Sequence, residues 1–365
     1  MGKFVDVLEI KNGKNQRQVE NPSGQYPIYG SGGIMGYSDD YLCEANTVII
    51  GRKGSINNPI YVGEPFWNVD TAFGLVAKRE VLFPKYLYYF CRRFDFEKLN
   101  TTVTIPSLTK ANLLQVEIPL PPLDVQKKIA NILDQATYLI EKRKAQIAKL
   151  DLFVKSQFIE MFGDPVTNPV GWGKKHFEKT CVITTGNTPP RANLEYYGDY
   201  IEWIKTDNIN ATNSILTTAS EYLSEIGFEK CRYVEKNSIL MTCIAGSLSS
   251  IGNVAITNRR VAFNQQINAL IPQKKEYDYI FLYWLLRMMK PTIHNAVNMM
   301  LKGILSKGNL SAIEAITPPI DLQNRFAVFV VETEKSKAKM QQGLVQLELL
   351  YKSLMQKCFE GEIIE

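Results

Sequence analysis

Side chains able to do chemistry are thinly spread along these 365 residues, and their spacing disfavours most catalytic plans. His176 and His294 have no serine or cysteine motif beside them, so a nucleophile–base–acid triad has little to build on. Cysteines stand at 43, 91, 181, 231, 243 and 358 with no Cys-x-x-Cys pair. That disfavours a zinc site and a disulfide framework, and scattered free thiols fit a reducing cytoplasm. Asp39-Asp40 reads as loop surface, not as a metal pair. The glycine-rich run Gly30 to Gly36 follows Tyr26-Pro27-Ile28-Tyr29 and has no clear helix behind it. It therefore predicts a tight turn and not a cofactor cradle. An adenine methyltransferase would show an Asn-Pro-Pro-Tyr-like run. Asn58-Pro59 and Asn168-Pro169 each lack the second proline, and Thr188-Pro189-Pro190 lacks the asparagine and the aromatic. No GxxxxGK[ST] loop occurs for an ATP motor. The residues point to binding, with no catalytic or metal site in this chain.

Composition sets the class of protein. Hydrophobic residues make up 45% and charged residues 22%, ordinary for a folded chain with two to three domains. A formal charge of +5 and a pI near 8.7 permit nucleic-acid binding and fit an ordinary solvated surface equally well. The start, MGKFVDVLEI, has no apolar signal core, and Asp6 stands where a myristoylation signal needs Ser or Thr. With no run of 18 apolar residues, the expectation is a cytoplasmic protein without a membrane segment.

The elements that must position any binding residue centre on Pro121 to Phe162. Apolar or tolerated residues fall there at 129, 133, 136, 140, 147, 150, 154 and 161, heptad spacings whose missing places hold Arg143 and Gln157. Pro121-Pro122 sits just before the helix, Asp124 can cap it, and Gly163-Asp164-Pro165 ends it. About forty residues at ~1.5 Å each predict a rod of roughly 60 Å. Pro318-Pro319-Ile320-Asp321-Leu322-Gln323 repeats Pro121-Pro122-Leu123-Asp124-Val125-Gln126 at an offset of 197. The same offset carries the seam to Phe326, Val330, Thr333, Lys337, Met340, Leu344, Leu347, Tyr351, Leu354 and Cys358. The imperfect places, Arg143, Gln157, Thr333 and Lys337, either fix register or reach solvent.

Around the rods, residues 1–118 read as a mixed α/β domain. Its strands lie at Leu8-Glu9-Ile10, Asn46 to Gly51 and Phe73 to Val76, and a helix opens at Pro84. Residues 119–163 form the first rod, 164–316 a linker and a second domain, and 317–365 the second rod. The second domain echoes the first: Ile183 to Gly186 with Ile10 to Gly13, Asn237 to Leu240 with Asn46 to Ile49, Gly246-Ser247 with Gly54-Ser55. Between the first two of these landmarks it is 18 residues longer. Parallel rods would need the chain to return along a whole rod length, whereas antiparallel rods need no return. The expected fold is α+β: two mixed α/β domains separated by a pair of long antiparallel coiled-coil helices, in a pseudo-two-fold internal repeat.

The ordered set of segments resembles the specificity (S) subunit of type I restriction–modification systems. Ile118 to Gln126 followed by Ile129-Ala130, Met161 to Pro165 with Asn168-Pro169 and Gly171-Trp172, Tyr200 to Ile209, Phe263 to Gln266, and Phe359 to Glu362 carry the likeness over essentially the whole length. Val125 and Leu322 depart from it, since the family often has Glu there. The resemblance implies a non-catalytic subunit with two target recognition domains, each reading half of a bipartite, asymmetric double-stranded DNA site. The helices would set the gap and dock two methyltransferase subunits, with restriction subunits as a further, optional partner. S-adenosylmethionine, ATP and Mg would belong to those partners, and no cofactor to this chain.

Arg and Lys suit guanine and phosphate, Asn and Gln suit adenine. On that basis the candidate DNA contacts are Arg52, Lys53, Ser55, Asn57 and Asn58 in the first domain. Lys205, Asp207, Asn208, Ser247, Ser249 and Ser250 are their counterparts in the second. Lys110 and Lys307, equivalent by the repeat, are candidate phosphate contacts. The alternative is a coiled-coil adaptor that binds only proteins; salt-dependent duplex binding separates the two readings.

Overall fold

The computed structural model describes residues 1–100, 107–210, 213–299 and 303–362. The chain forms two compact units, Met1–Ala145 with Met340–Glu365, and Gln146–Lys339. Two long helices, Leu123–Phe162 and Ile320–Glu360, each contribute one end to each unit.

In the first unit an antiparallel sheet runs in the order Leu8–Asn12, Ala72–Ala77, Thr47–Gly51, Ile60–Val62. A smaller sheet pairs Gly33–Ser38 with Tyr26–Gly30, which runs parallel to Trp67–Asn68. The glycine-rich run is therefore a hairpin, as its lack of a following helix predicted. Gly2–Lys3 pairs with Glu117–Ile118 and closes the domain where the first long helix begins. Pro84, at the first position of helix Pro84–Arg93, sits where its missing N–H costs nothing.

The second unit repeats this plan with additions. Its main sheet runs Cys181–Thr185, Ile267–Pro272, Ile239–Thr242, Val254–Ile256, again antiparallel. Tyr197–Ile204 runs parallel to Val261–Phe263, with Tyr222–Leu223 and Tyr233–Val234 outside them. The outer strand Tyr233–Val234 is reduced in the first unit to a single antiparallel bridge, Cys43 to Phe66, and the cluster of Ile201, Trp203, Leu223 and Cys231 is larger than its first-unit counterpart of Ile28, Trp67 and Val69. Asn46 and Asn237, each just ahead of the equivalent strand, both sit at φ 66°. Asparagine tolerates that left-handed turn better than other side chains, which explains the echo at these two places.

Each unit also contains an antiparallel helix pair. In the first, Ile129, Ala130 and Leu133 share a core with Met355, Cys358 and Phe359. In the second, Val154, Phe158 and Phe162 share one with Phe326, Ala327 and Val330. The heptad seam drifts near the end of each long helix, and more so in the second unit. Phe158 and Phe162 are fully buried while Met161 is only partly so; 197 residues on, Met355 and Phe359 are buried as well, but there the seam residue Cys358 stays buried with them. Where a helix meets a globular core its apolar stripe follows 3.6 residues per turn and drifts off the 3.5 seam. Of the imperfect seam positions, Lys337 does not reach for solvent: its Nζ lies 2.6 Å from Asp151 Oδ1 and its side chain is 13% exposed.

The start of each long helix is held by a buried glutamine and not by Asp124, which falls inside the first turn. Gln126 Oε1 accepts from Phe83 N (2.8 Å), while its Nε2 donates to Val81 O and Pro121 O. Gln323 makes the same three bonds, to Asp278 N, Glu276 O and Pro318 O. One side chain thus satisfies groups that two chain ends would leave unpaired. Gly163 (φ 74°) and Gly361 (φ 84°) close the two helices in the left-handed conformation.

Candidate nucleic-acid interface

Strand register gathers most of the candidate residues at one edge of each domain. In the first unit Leu8–Asn12 ends in Gly13-Lys14, Tyr26–Gly30 in Ser31-Gly32, Thr47–Gly51 in Arg52 to Asn58, and Trp67–Asn68 in Val69 to Thr71. These loops are stitched together: Lys14 N donates to Asn68 O (2.8 Å), Val69 N to Tyr29 O (3.0 Å) and Arg52 N to Thr71 O (2.8 Å). Ser31 Cβ stands 3.0 Å from where a Cβ on Gly51 would be. The second unit uses the same stitches: Asn187 N to Phe263 O, Asn264 N to Ile204 O and Cys243 N to Gln266 O. A Cβ on Gly13 would run into the Val69 carbonyl, and one on Gly186 into the Asn264 carbonyl. Only glycine allows this close approach, at equivalent places in both domains.

On this edge Arg52 is exposed, with its guanidinium 5.7 Å from the centre of the Phe73 ring. Lys53, Ser55 and Asn58 are exposed too, and Lys53 is bridged through its backbone to Ser107. Asn57 is occupied internally: its Nδ2 donates to Asp95 Oδ1 and its Oδ1 accepts from Phe96 N. Lys110 Nζ donates to the Ile10 carbonyl at 2.7 Å. Lys307, its repeat equivalent, is exposed and has no partner among the described residues.

In the second domain Asn208 is buried. Its Oδ1 accepts from Lys205 N and its Nδ2 donates to Thr217 Oγ1 and Thr218 O, so it shapes the loop from inside. Asp207 is exposed. Ser247, Ser249 and Ser250 form a hydroxyl cluster, Ser247 Oγ lying 3.0 Å from each of the other two. Lys205 pairs with Glu221 and lies over the Trp203 ring at 5.3 Å.

Sequence reasoning missed several neighbours of these residues. Arg191 also pairs with Glu221 (2.8 Å) and stacks on Tyr197 and Trp203 at 4.7 and 4.9 Å. Lys205 and then Arg191, by donating to it, hold the Glu221 carboxyl below the usual range. The one signal in the sequence was Arg191 directly after Thr188-Pro189-Pro190, a backbone stiff enough to aim it. In the first domain, Ile34 and Met35 on the hairpin are 54% and 61% exposed.

The features that could have carried catalysis are used structurally. His176 Nδ1 lies 2.8 Å from Ala312 O and His294 Nε2 2.9 Å from Ile251 O. All six thiols are buried, and burial pushes Cys43 up to about 11 and Cys243 to about 12. Asp39 accepts from Asn21 and Asp40 from the Tyr41 backbone. Among the described residues no cluster of His, Cys, Asp and Glu could hold a metal, and no helix is long and apolar enough to cross a membrane.

Comparison with known proteins gives a consistent result. Residues 1–150 and 169–348 match the family described as type I restriction modification DNA specificity domain. The HindI specificity subunit of Haemophilus influenzae is 29% identical over 53% of this chain, a stretch that spans only 42% of that protein. The MjaIX specificity subunit of Methanocaldococcus jannaschii is 22% identical over 86% of this chain and 75% of its own length. The solved S subunit from M. genitalium superposes with a TM-score of 0.59 at 16% identity, covering 98% of this chain and 95% of that one. A chain solved in connection with complex assembly and conformational transition of the type I R-M system gives 0.65 at 16% identity, covering 99% and 97%. Likeness at that identity speaks to the fold, and the family match speaks to kinship. The chain belongs to the family of type I restriction–modification specificity subunits.

Proposed function

We propose that this chain is the DNA-reading, non-catalytic subunit of a type I restriction–modification complex, with each domain reading one half of a bipartite, asymmetric site. The observation that carries this reading is one scaffold built twice with unlike loops at the same edge. A shared frame gives two comparable heads, and different loops give them different targets. The long helices serve to set the gap between half-sites and to dock two methyltransferase subunits, which supply S-adenosylmethionine chemistry; restriction subunits supply the ATP and Mg chemistry. Docking is supported by apolar side chains left exposed on the helices of each unit. Leu349 and Leu350 are 59% and 65% exposed in the first, and their repeat equivalents Leu152 and Phe153 are 63% and 52% exposed in the second. Surface of this kind calls for a partner.

The test uses the chain assembled with its methyltransferases. Duplex binding is expected to weaken steeply with salt, since each neutralised phosphate releases counterions. Arg52→Ala is expected to weaken it roughly tenfold and lower the salt slope by about one. Mapping methylated adenines in a genome expressing the complex should return a split, non-palindromic motif. Salt-independent or absent duplex binding would instead establish a protein-only coiled-coil adaptor.

A further inference from the structure

Arg191, Lys205 and Glu221 form a cluster on the second domain that the first domain does not share. The parallel registers Ile28–Trp67 and Trp203–Ala262 place Ile28 where the second domain has Trp203, and Gly30 where it has Lys205. The Arg191 guanidinium sits between the Tyr197 and Trp203 rings, 4.7 and 4.9 Å from their centres, and pairs with Glu221. Its loop is fixed from below, because Tyr197 Oη donates to Pro189 O (2.8 Å) and Trp203 Nε1 to Asn187 O (3.3 Å). The side chain remains 55% exposed, and beside it opens a cavity of about 410 Å³ bounded by Tyr197, Glu221 and Tyr222.

We propose that Arg191 is the base-reading side chain of the second domain and that it selects a guanine, with Glu221 as the residue that positions it. This rests on the DNA-reading function proposed above. A phosphate contact needs only positive charge, which a mobile lysine supplies. A planar fork locked on two rings is instead suited to a pair of acceptors in one plane, and the N7 and O6 of guanine are such a pair. The carboxylate beside it repels phosphate, which turns the fork away from a backbone contact and holds it for a base edge without adding affinity.

The experiment maps methylated adenines and measures modification rates for the complete complex carrying wild-type, Arg191→Ala, Arg191→Lys or Glu221→Gln chains. Arg191→Ala is expected to slow modification of the cognate site roughly 10- to 100-fold and to make one guanine of a single half-site degenerate. Arg191→Lys should keep the salt slope of binding but show the same degeneracy, which separates lost reading from lost folding. Glu221→Gln should bind duplex more tightly and tolerate more sequences. Arg191→Ala or Arg191→Lys complexes that modify the parental motif at the parental rate overturn the inference alone. A wild-type complex with no split motif overturns the underlying function and this inference with it.

Discussion

The loop that follows the strand Thr47–Gly51 carries its cations outward, with Arg52 over Phe73 and Lys53 beside it. The equivalent loop after Ile239–Thr242 carries no cation between Cys243 and Ser250, only three clustered hydroxyls. There the charge has moved to Arg191 and Lys205, fixed on aromatic rings and shared by one carboxylate. Behind both edges the backbone stitches are the same. Selection on the frame and selection on the edge are thus separable: hydrogen bonds to backbone atoms hold the first, while side-chain chemistry is free to change at the second.

If the frame is shared, breaking it should cost the same in either unit. Gln126→Leu and Gln323→Leu each strand one N–H and two carbonyls out of water, at about 1–3 kcal/mol per group. Each variant should therefore lose about 3–9 kcal/mol and melt the unit that carries it. Hydrogen exchange resolved by unit measures this; a large loss in one and none in the other would mean the latches are not equivalent.

The latch also shows what could be read without coordinates. The repeat at 197, the long helices, the glycine stops and the strands before Gly51 and Thr242 follow from periodicity and turn chemistry, which are local signals. Gln126 and Gln323 were visible as repeated letters, but their partners, near Phe83 and Asp278, lie tens of residues away. The Pro119 and Ile316 carbonyls, 197 apart, are both capped by a tyrosine hydroxyl, yet from Tyr86 in one unit and Tyr277 in the other. These tyrosines occupy different places in the repeat, so no pattern search would pair them. The same limit applies at the edge. Lys110, Asn57 and Asn208 had the right chemistry for DNA, and the fold commits them to the Ile10 carbonyl, Asp95 and Thr217. Residue type suggests a role, but the nearest unpaired group decides it.

A smaller effect separates the units by acid. Glu202 accepts from Arg259 and from Ala219 N (2.9 Å), with 12% of its side chain exposed. The register puts Pro27 and Glu64 at the corresponding places in the first unit, where no such pair forms. Arg259 holds the Glu202 carboxyl below its ordinary value. A carboxyl depressed on folding contributes fully above its unfolded range, near ~4.3, and loses that contribution as pH falls through the folded value. The second unit is therefore expected to unfold before the first on acidification. Glu202→Gln should destabilise it by roughly 2 kcal/mol at neutral pH and narrow the acid gap between the units. Equal acid midpoints in the parent chain would show the pair to be worth nothing net.

The smallest effect concerns the helices themselves. Gly343 lies inside the second long helix, and its repeat equivalent is Gln146, so the shared frame does not demand a glycine there. A Cβ at 343 would meet only the Arg143 guanidinium, its Nη1 at 2.8 Å and its Cζ at 4.0 Å. That is the far end of a flexible side chain, which can swing aside at little cost. Alanine gains about 0.8–1 kcal/mol over glycine in a helix interior. Gly343→Ala should therefore stabilise the first unit by up to about 1 kcal/mol. A loss instead would mean that Arg143, an imperfect seam residue, is held against Gly343 to fix the register of the two helices. In that case Arg143→Ala combined with Gly343→Ala should recover the helix-propensity gain, because the clash and its cause would both be gone.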